Sequence, residues 1–221
     1  MAAEGQNDIQ RARSLRPWFL VAAMLLVWLV GVQGVSMGCQ STMAMRSGIV
    51  VDEQTALDEA RVDGDPSRLG YVMQAARLRA MVEHRSVSFP LGVGRLVLSL
   101  VLVGAAATAL SGRPGARSFA MQAIAVNAAF GVVDYVLSEP VRAAAIDAVV
   151  RVAGDLFREE EHAPFRSATF WFWIERIRVA MVELGVAVVG LSALASPKTA
   201  AFFEAMESVR RAREAEREDE P

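Results

Sequence analysis

Cysteine and histidine are nearly absent from this sequence, and no catalytic motif takes their place. The single cysteine, Cys39, cannot form an intrachain disulfide or build a cysteine-based zinc site. The two histidines, His84 and His162, lack the spacing of metal ligands. The chain contains no Walker A loop, no GxGxxG phosphate loop and no nucleophile elbow. These absences predict a protein that is not an enzyme, with no catalytic residues, no metal site and no cofactor.

A large charge of one sign is also lacking. The formal net charge is -2, whereas binding to nucleic acid requires a basic face, so we expect no nucleic-acid partner. Charged residues make up 22% of the chain and hydrophobic residues 53%, and the two kinds are segregated into blocks. Long apolar runs that alternate with polar stretches predict an integral membrane protein.

Four apolar runs are long enough to cross a bilayer, whose hydrocarbon core of about 30 Å requires roughly 20 apolar residues. They predict an all-α fold, an integral membrane four-helix bundle with amphipathic helices in two extracytoplasmic loops. The predicted order is a basic N-terminus, 1–16; transmembrane helix 1, a signal anchor, 17–37; a loop with helices, 38–90; transmembrane helix 2, 91–110; a short loop, 111–118; transmembrane helix 3, 119–137; an amphipathic helix and aromatic belt, 138–173; transmembrane helix 4, 174–196; and a charged helical tail, 197–221.

Basic residues indicate the orientation of these spans. Arg11 and Arg13 precede the first span, Arg113 and Arg117 lie between the second and third, and Lys198 follows the fourth. Because cytoplasmic segments are enriched in Lys and Arg, both termini are predicted to be cytoplasmic in a multi-pass protein of the inner (cell) membrane. The predicted partners are the lipid bilayer and either other membrane proteins or further copies of the chain.

The first span has an alternative interpretation. A basic start, an apolar stretch and then Ser36-Met37-Gly38-Cys39 resemble a bacterial lipoprotein signal, in which Cys39 is lipidated after cleavage. Gly38 fits this pattern, but Ser36 stands where a Leu-like residue is usual. The apolar stretch also exceeds the roughly 7–15 residues of a secretory h-region. An uncleaved anchor is therefore preferred, and lipidation of Cys39 stays open.

Helices are also predicted outside the bilayer. The first loop contains a short helix at 54–62 and a second that starts after a Ser67 N-cap and ends near Glu83. In the second loop, apolar residues recur at helical spacing over 140–160. Each of the two longer helices would otherwise expose an apolar face. We therefore prefer an outer cap, in which they contact each other, over helices that lie on the membrane surface.

Ionisable groups at membrane depth are costly and are therefore candidate functional residues. The spans contain an intramembrane polar cluster, predicted in the outer half of the bilayer: Arg95, Asp134, Arg178 and Glu183. Two interpretations remain open. In the first, the pairs Arg95–Asp134 and Arg178–Glu183, or one shared cluster, hold the helices together. In the second, Glu183 takes up a proton or cation, and Gln122 and Asn127 continue a polar path inward.

Three functional hypotheses follow from these features. The first is an accessory membrane subunit or scaffold that acts through its extracytoplasmic cap and its cytoplasmic tail. The alternative is an oligomeric transporter or channel component that uses Glu183 and Asp134 in a polar intramembrane path. The third is a sensor whose cap binds a ligand, which the sequence favours least because no signalling domain follows the last span.

Overall fold

The structure is a computed structural model that describes residues 15–47, 69–156 and 165–218. Within those ranges the chain is helical apart from short turns, and it contains no strand. Several predictions lie outside the described residues. These are the basic residues Arg11 and Arg13, the helix at 54–62, the Ser67 cap and the last residues, 157–160, of the helix predicted over 140–160.

The described residues form eight α-helices and one π-helical turn. The π-helical turn, Ala180–Gly185, joins α6 to α7 and makes Ala168–Ala195 one continuous helical stretch. The helices are α1, Trp18–Ser47; α2, Leu69–Glu83; α3, Arg85–Ser111; α4, Ala116–Leu137; α5, Glu139–Leu156; α6, Ala168–Val179; α7, Val186–Ala195; and α8, Pro197–Glu218.

Four helical stretches are long and apolar enough to cross a membrane. The shortest, Ala116–Leu137, has 22 residues, which extend about 33 Å at a rise of about 1.5 Å per residue and exceed a hydrocarbon core of about 30 Å. The four stretches are Trp18–Ser47, Arg85–Ser111, Ala116–Leu137 and Ala168–Ala195. The chain is thus an all-helical protein with the composition of a multi-pass membrane protein.

The exposed surface of these stretches is itself apolar. Leu29, Leu100, Val136 and Val188 each leave more than half of their surface uncovered. In water, a surface of this kind promotes association, whereas lipid tails cover it without loss of free energy. The exposed apolar side chains therefore agree with the four candidate spans.

The chain divides into two compact units. Unit 1 comprises Met1–Gly34, Val97–Ala129 and Val182–Pro221, and unit 2 comprises Val35–Leu96 and Phe130–Met181. Each of the four candidate spans therefore contributes residues to both units. The two helices that lie outside the candidate spans and precede Ala168, α2 and α5, belong to unit 2.

Small residues dominate the interior of unit 1. Its buried cluster contains eight alanines together with larger side chains such as Leu20, Met24 and Leu194. At Gly31, a Cβ atom would lie 2.8 Å from the Val103 side chain and 3.2 Å from a backbone oxygen of α3. Small residues let helix backbones approach closely, and this is how helices associate where lipid removes the hydrophobic driving force.

The helix ends of unit 1 are closed by polar side chains. The last carbonyl groups of a helix have no partner within the helix. Near the end of α7, Thr199 donates a hydrogen bond to the Ala193 carbonyl at 2.7 Å, and Arg117 Nε donates one to the Leu194 carbonyl at 2.9 Å. Gly112, with φ 67°, makes the turn between α3 and α4 in a conformation that favours glycine.

In unit 2, α2 and α5 pack against each other. Val72 of α2 is fully buried in one cluster with Val149, Val152 and Ala153 of α5. Trp171 of α6 packs against the same cluster, and its ring nitrogen donates a hydrogen bond of 2.8 Å to the Phe165 carbonyl. The helices of the two predicted loops are therefore in contact through apolar side chains.

Candidate functional site

Unit 2 contains a half-open cavity of about 290 Å³, and every residue that lines it belongs to that unit. One face of helix α2 forms one side of the cavity wall. The face consists of residues three or four positions apart, which lie on one side of a helix: Gly70, Met73, Gln74, Arg77, Leu78 and Met81. The remaining wall comes from α1, α3, α4, α5 and α6.

One ion pair in the cavity wall connects two candidate spans. Arg95 Nη1 of α3 lies 2.8 Å from Asp134 Oδ2 of α4, and their side chains are 23% and 18% exposed. This is one of the pairs considered from the sequence. A charge-assisted hydrogen bond at this distance contributes about 1.5–3 kcal/mol. The pair therefore fixes α3 against α4 at the cavity and neutralises one guanidinium group.

The second guanidinium group in the wall is held by a neighbour on its own helix. Arg178 donates to Glu175 Oε2 from Nε at 3.1 Å and from Nη2 at 2.8 Å. The sequence hypothesis paired Arg178 with Glu183, whereas the carboxylate that engages Arg178 is that of Glu175. The sequence analysis missed Glu175 because it lies among charged residues at the entrance of the span. Its i, i+3 spacing from Arg178 was the available signal.

Arg77 is the third guanidinium group of the cavity. Among the residues that the structure describes, it has no hydrogen bond and no ion pair, unlike Arg95 and Arg178. Burial lowers the pKa of Arg77 from its usual range. The carboxylate of Glu175 opposes this change and the charge of Arg178 adds to it. Because an arginine stays protonated near neutral pH, Arg77 adds a positive charge that no described side chain pairs directly, although the nearby Glu175 carboxylate offsets part of it.

The remaining predicted site residues belong to unit 1. Glu183 lies on the π-helical turn, is 7% exposed, and lines a void of about 10 Å³ together with Asn127. A void of this size has room for about one water molecule. Gln122 is exposed on α4, where it donates a hydrogen bond of 3.5 Å to Ser118. The predicted polar cluster is therefore divided between the units, with Glu183 outside the cavity.

The hydrogen-bond donors of its arginine side chains make the cavity suitable for an anion. Guanidinium groups only donate hydrogen bonds, and their planar shape matches carboxylate and phosphate groups. Among the described residues, the three guanidinium groups of the cavity wall are balanced by two carboxylates, those of Asp134 and Glu175, so this part of the chain carries one positive charge in excess at the cavity. Within the described ranges, no three His, Cys, Asp or Glu side chains are grouped as metal ligands.

Comparison with protein-family models, curated proteins and solved structures finds no match to this chain. The function must therefore be argued from the geometry and charge of the residues themselves. The cavity in unit 2 and the buried carboxylate in unit 1 are the two features that carry such an argument.

Proposed function

We propose that this chain is a four-span accessory protein of the inner membrane that binds a small anionic ligand in the cavity of unit 2. In this proposal the spans form a helical bundle, both termini are cytoplasmic, and α2 and α5 belong to an extracytoplasmic cap. The cap binds the ligand, contacts a partner protein, or does both. No catalytic step is assigned. The basic residues near the termini and the packing of α2 on α5 support this arrangement.

The charge of Arg77, which has no hydrogen bond and no ion pair among the described residues, is the observation that carries the proposal. Withdrawing a charged group from water costs free energy unless an opposite charge or hydrogen-bond acceptors replace the water. A purely structural arginine in this position would be expected to have a carboxylate partner, as Arg95 has in Asp134. An anion that enters the cavity would supply the missing partner. The ligand would then bind more tightly because it relieves an existing electrostatic cost.

The size of the cavity agrees with a small ligand. Pockets for small molecules usually enclose about 300–1,000 Å³ and combine apolar walls with a few placed polar groups. The cavity, at about 290 Å³, lies at the lower end of this range. Its wall combines methionine and leucine side chains with three arginines, so it has the mixed character of such sites.

Thermal unfolding of the purified protein in mild detergent tests the binding proposal. Sodium phosphate, acetate and chloride should be compared at equal ionic strength, so that non-specific screening is constant. A ligand at about 100 times its Kd stabilises the folded protein by about 2.7 kcal/mol. We expect a binding anion to raise the melting temperature of the wild type, and Arg77→Gln to abolish this increase.

Arg79→Gln is the matched control for this experiment. Arg79 lies on the same helix, is exposed, pairs with Glu83 at 3.1 Å and does not line the cavity. The control should retain the full response to the anion. If both variants respond like the wild type, the anion does not bind at Arg77. If no anion stabilises the wild type more than chloride does, and no anionic lipid binds either, the cavity is not an anion site.

Purification of the native complex tests the accessory role. The tagged full-length chain is extracted in mild detergent, and every co-eluting protein is quantified by mass spectrometry. We expect a foreign membrane protein in constant stoichiometric ratio. Recovery of the chain alone, as a homo-oligomer, would contradict the accessory role and favour the alternative.

The alternative is proton or cation passage through an oligomer, and the buried Glu183 favours it. Its carboxylate shares a water-sized void with Asn127, and π-helical turns occur frequently at functional sites. We expect Glu183→Gln to lower the flux in proteoliposomes at least several-fold if this passage exists. Asn127→Ala serves as a second probe of the same void, and Gln122→Ala, on the exposed face, as its control. Equal flux in all four proteins would remove the alternative.

A further inference from the structure

The charged and apolar parts of the cavity wall alternate along α2. Met73, Arg77 and Met81 are spaced four residues apart, so they lie one above another on the same helix face. The guanidinium group is therefore flanked by a methionine one turn away on each side. Methionine side chains adapt to irregular apolar shapes. A ligand that meets Arg77 with a negative group consequently meets an adaptable apolar surface beside it.

The ends of the apolar runs surround the cavity. Met37 ends the first predicted span, Leu91 begins the second, Asp134 lies near the end of the third and Arg178 near the start of the fourth. All four line the cavity. The ends of apolar runs lie at the boundary between the hydrocarbon core and the head groups of a bilayer. The cavity therefore lies at the depth at which the charged groups of lipids are found.

The donors of the cavity favour a phosphate group. Three arginines contribute to the wall, and Gln40 and Gln74 also line the cavity. Arginine is the preferred residue for phosphate because its planar set of donors can bind two oxygens at once. The volume of about 290 Å³ lies at the lower end of the range for small-molecule pockets, about 300–1,000 Å³. A volume of this size holds a phosphate ester head group but not two complete acyl chains.

We propose that the cavity binds the phosphate head group of an anionic phospholipid, with Arg77 at the phosphate and Met73 and Met81 beside the start of the chains. This inference rests on the proposed function, because it names the anion that the cavity takes. The shared chemistry is a phosphate ester, which a lipid or a soluble molecule can supply. An amphiphile uses both the charged and the apolar part of the wall, whereas a soluble phosphate ester uses the charged part alone.

Native mass spectrometry of the full chain in detergent distinguishes these sources. The probes are dioleoyl phosphatidylglycerol, dioleoyl phosphatidylcholine, glycerol phosphate and inorganic phosphate, each added at equal concentration. We expect the wild type to retain one phosphatidylglycerol per chain, and to retain phosphatidylcholine and the two soluble phosphates much more weakly. Loss of the charged contact in Arg77→Gln should weaken phosphatidylglycerol binding by about tenfold or more.

A second variant fills the cavity without removing a charge. Gly70 lines the cavity, and a Cβ atom at this position would meet no atom within 4 Å. Gly70→Leu is therefore expected to fold and to exclude the lipid. Gly154→Leu is its matched control, because Gly154 lies on α5, has equally open space and does not line the cavity. The control should bind phosphatidylglycerol like the wild type.

The outcomes separate this inference from the function on which it rests. If glycerol phosphate or inorganic phosphate binds as tightly as phosphatidylglycerol and depends on Arg77, the lipid inference is wrong while anion binding stands. If phosphatidylcholine binds as tightly as phosphatidylglycerol, or if Arg77→Gln and Gly70→Leu retain the lipid, the inference is also overturned. If no phosphate binds in any form and no anion raises the melting temperature, the proposed function fails with it.

Discussion

The two units of this protein differ in what occupies their interiors. Unit 1 is filled by alanine, leucine and methionine side chains, and the void beside its buried Glu183 measures about 10 Å³. Unit 2 has a small apolar cluster around Val72 and a cavity of about 290 Å³ with three arginines in its wall. The apolar side chains of unit 1 are already packed against one another, whereas a positively charged group in the cavity of unit 2 can still gain a partner. The proposed function therefore places binding in unit 2, and we expect the packed interior of unit 1 to contribute mainly stability.

The largest expected loss of stability comes from the core of unit 1. Phe202 of α8 is 1% exposed, and Phe119 of α4 is 44% exposed. Replacing a buried Phe by Ala costs about 3–5 kcal/mol, because transfer energy is lost and a cavity remains. We expect Phe202→Ala to lower the free energy of unfolding by this amount, measured by denaturant titration in detergent. Phe119→Ala should cost much less, and equal losses would contradict the assignment of Phe202 to the core.

A smaller loss is expected where helices in unit 1 approach closely. A side chain at Gly31 would collide with Val103, whereas Gly104 on α3 has no atom within 4 Å of its Cβ position. Overpacking of this kind costs about 1–3 kcal/mol. We expect Gly31→Leu to lower the melting temperature and Gly104→Leu to leave it nearly unchanged. A similar melting temperature for the two variants would mean that the close approach does not support the fold.

The ion pairs of unit 2 allow a comparison between a shielded pair and an exposed pair. Asp134 and Arg95 are 18% and 23% exposed at 2.8 Å, whereas Asp147 and Arg151 are both 68% exposed at 3.3 Å. Asp134→Asn should lower the free energy of unfolding by about 1.5–3 kcal/mol, and Asp147→Asn by about 0–1 kcal/mol. Moderate salt should reduce the second effect more than the first. Identical effects in both variants would show that water screens the Arg95–Asp134 pair fully.

The smallest change in stability is expected at Arg77. In Arg77→Met the described ion pairs of the cavity stay intact and a charge without a described partner is removed, so the ligand-free protein should unfold at the same temperature or slightly higher. Arg95→Met is the contrasting variant, because it leaves the Asp134 carboxylate without this partner and should lower the melting temperature. Thermal unfolding in detergent compares the two. A strong loss of stability in Arg77→Met would assign Arg77 a structural role and weaken the binding proposal.

The positions of the long helices could be predicted from the sequence because they depend on local composition. Each of the four predicted spans coincides with a helical stretch of sufficient length, apart from Pro17 and Ser196 at the ends of two predictions. Helix α2 ends at Glu83, near which the sequence predicted a helix to end. The Arg95–Asp134 pair could be considered in advance because both residues lie near the ends of apolar runs. Their partnership is a contact between residues far apart in the sequence, and only the structure supplies the distance.

The cavity could not be predicted, for a different reason. In the sequence, Arg77 is only a polar position in the helical pattern of the first loop. Such a pattern shows that a residue lies off the apolar stripe but not what it faces. Arg178 pairs with Glu175 and not with Glu183, because the partner of an arginine depends on side-chain direction as well as on sequence spacing. These errors concern tertiary contacts, on which local patterns carry no information.

Composition alone determined that the protein is helical and that four of its segments are able to cross a membrane, because burial in lipid requires long apolar runs. Basic clusters near the termini determined the proposed orientation in the same local way. Tertiary structure alone decided which carboxylates neutralise which guanidinium groups and that Arg77 has no such partner among the described residues. Residues far apart in the sequence line the cavity, and which of their charges neutralise each other depends on distances that only folding sets.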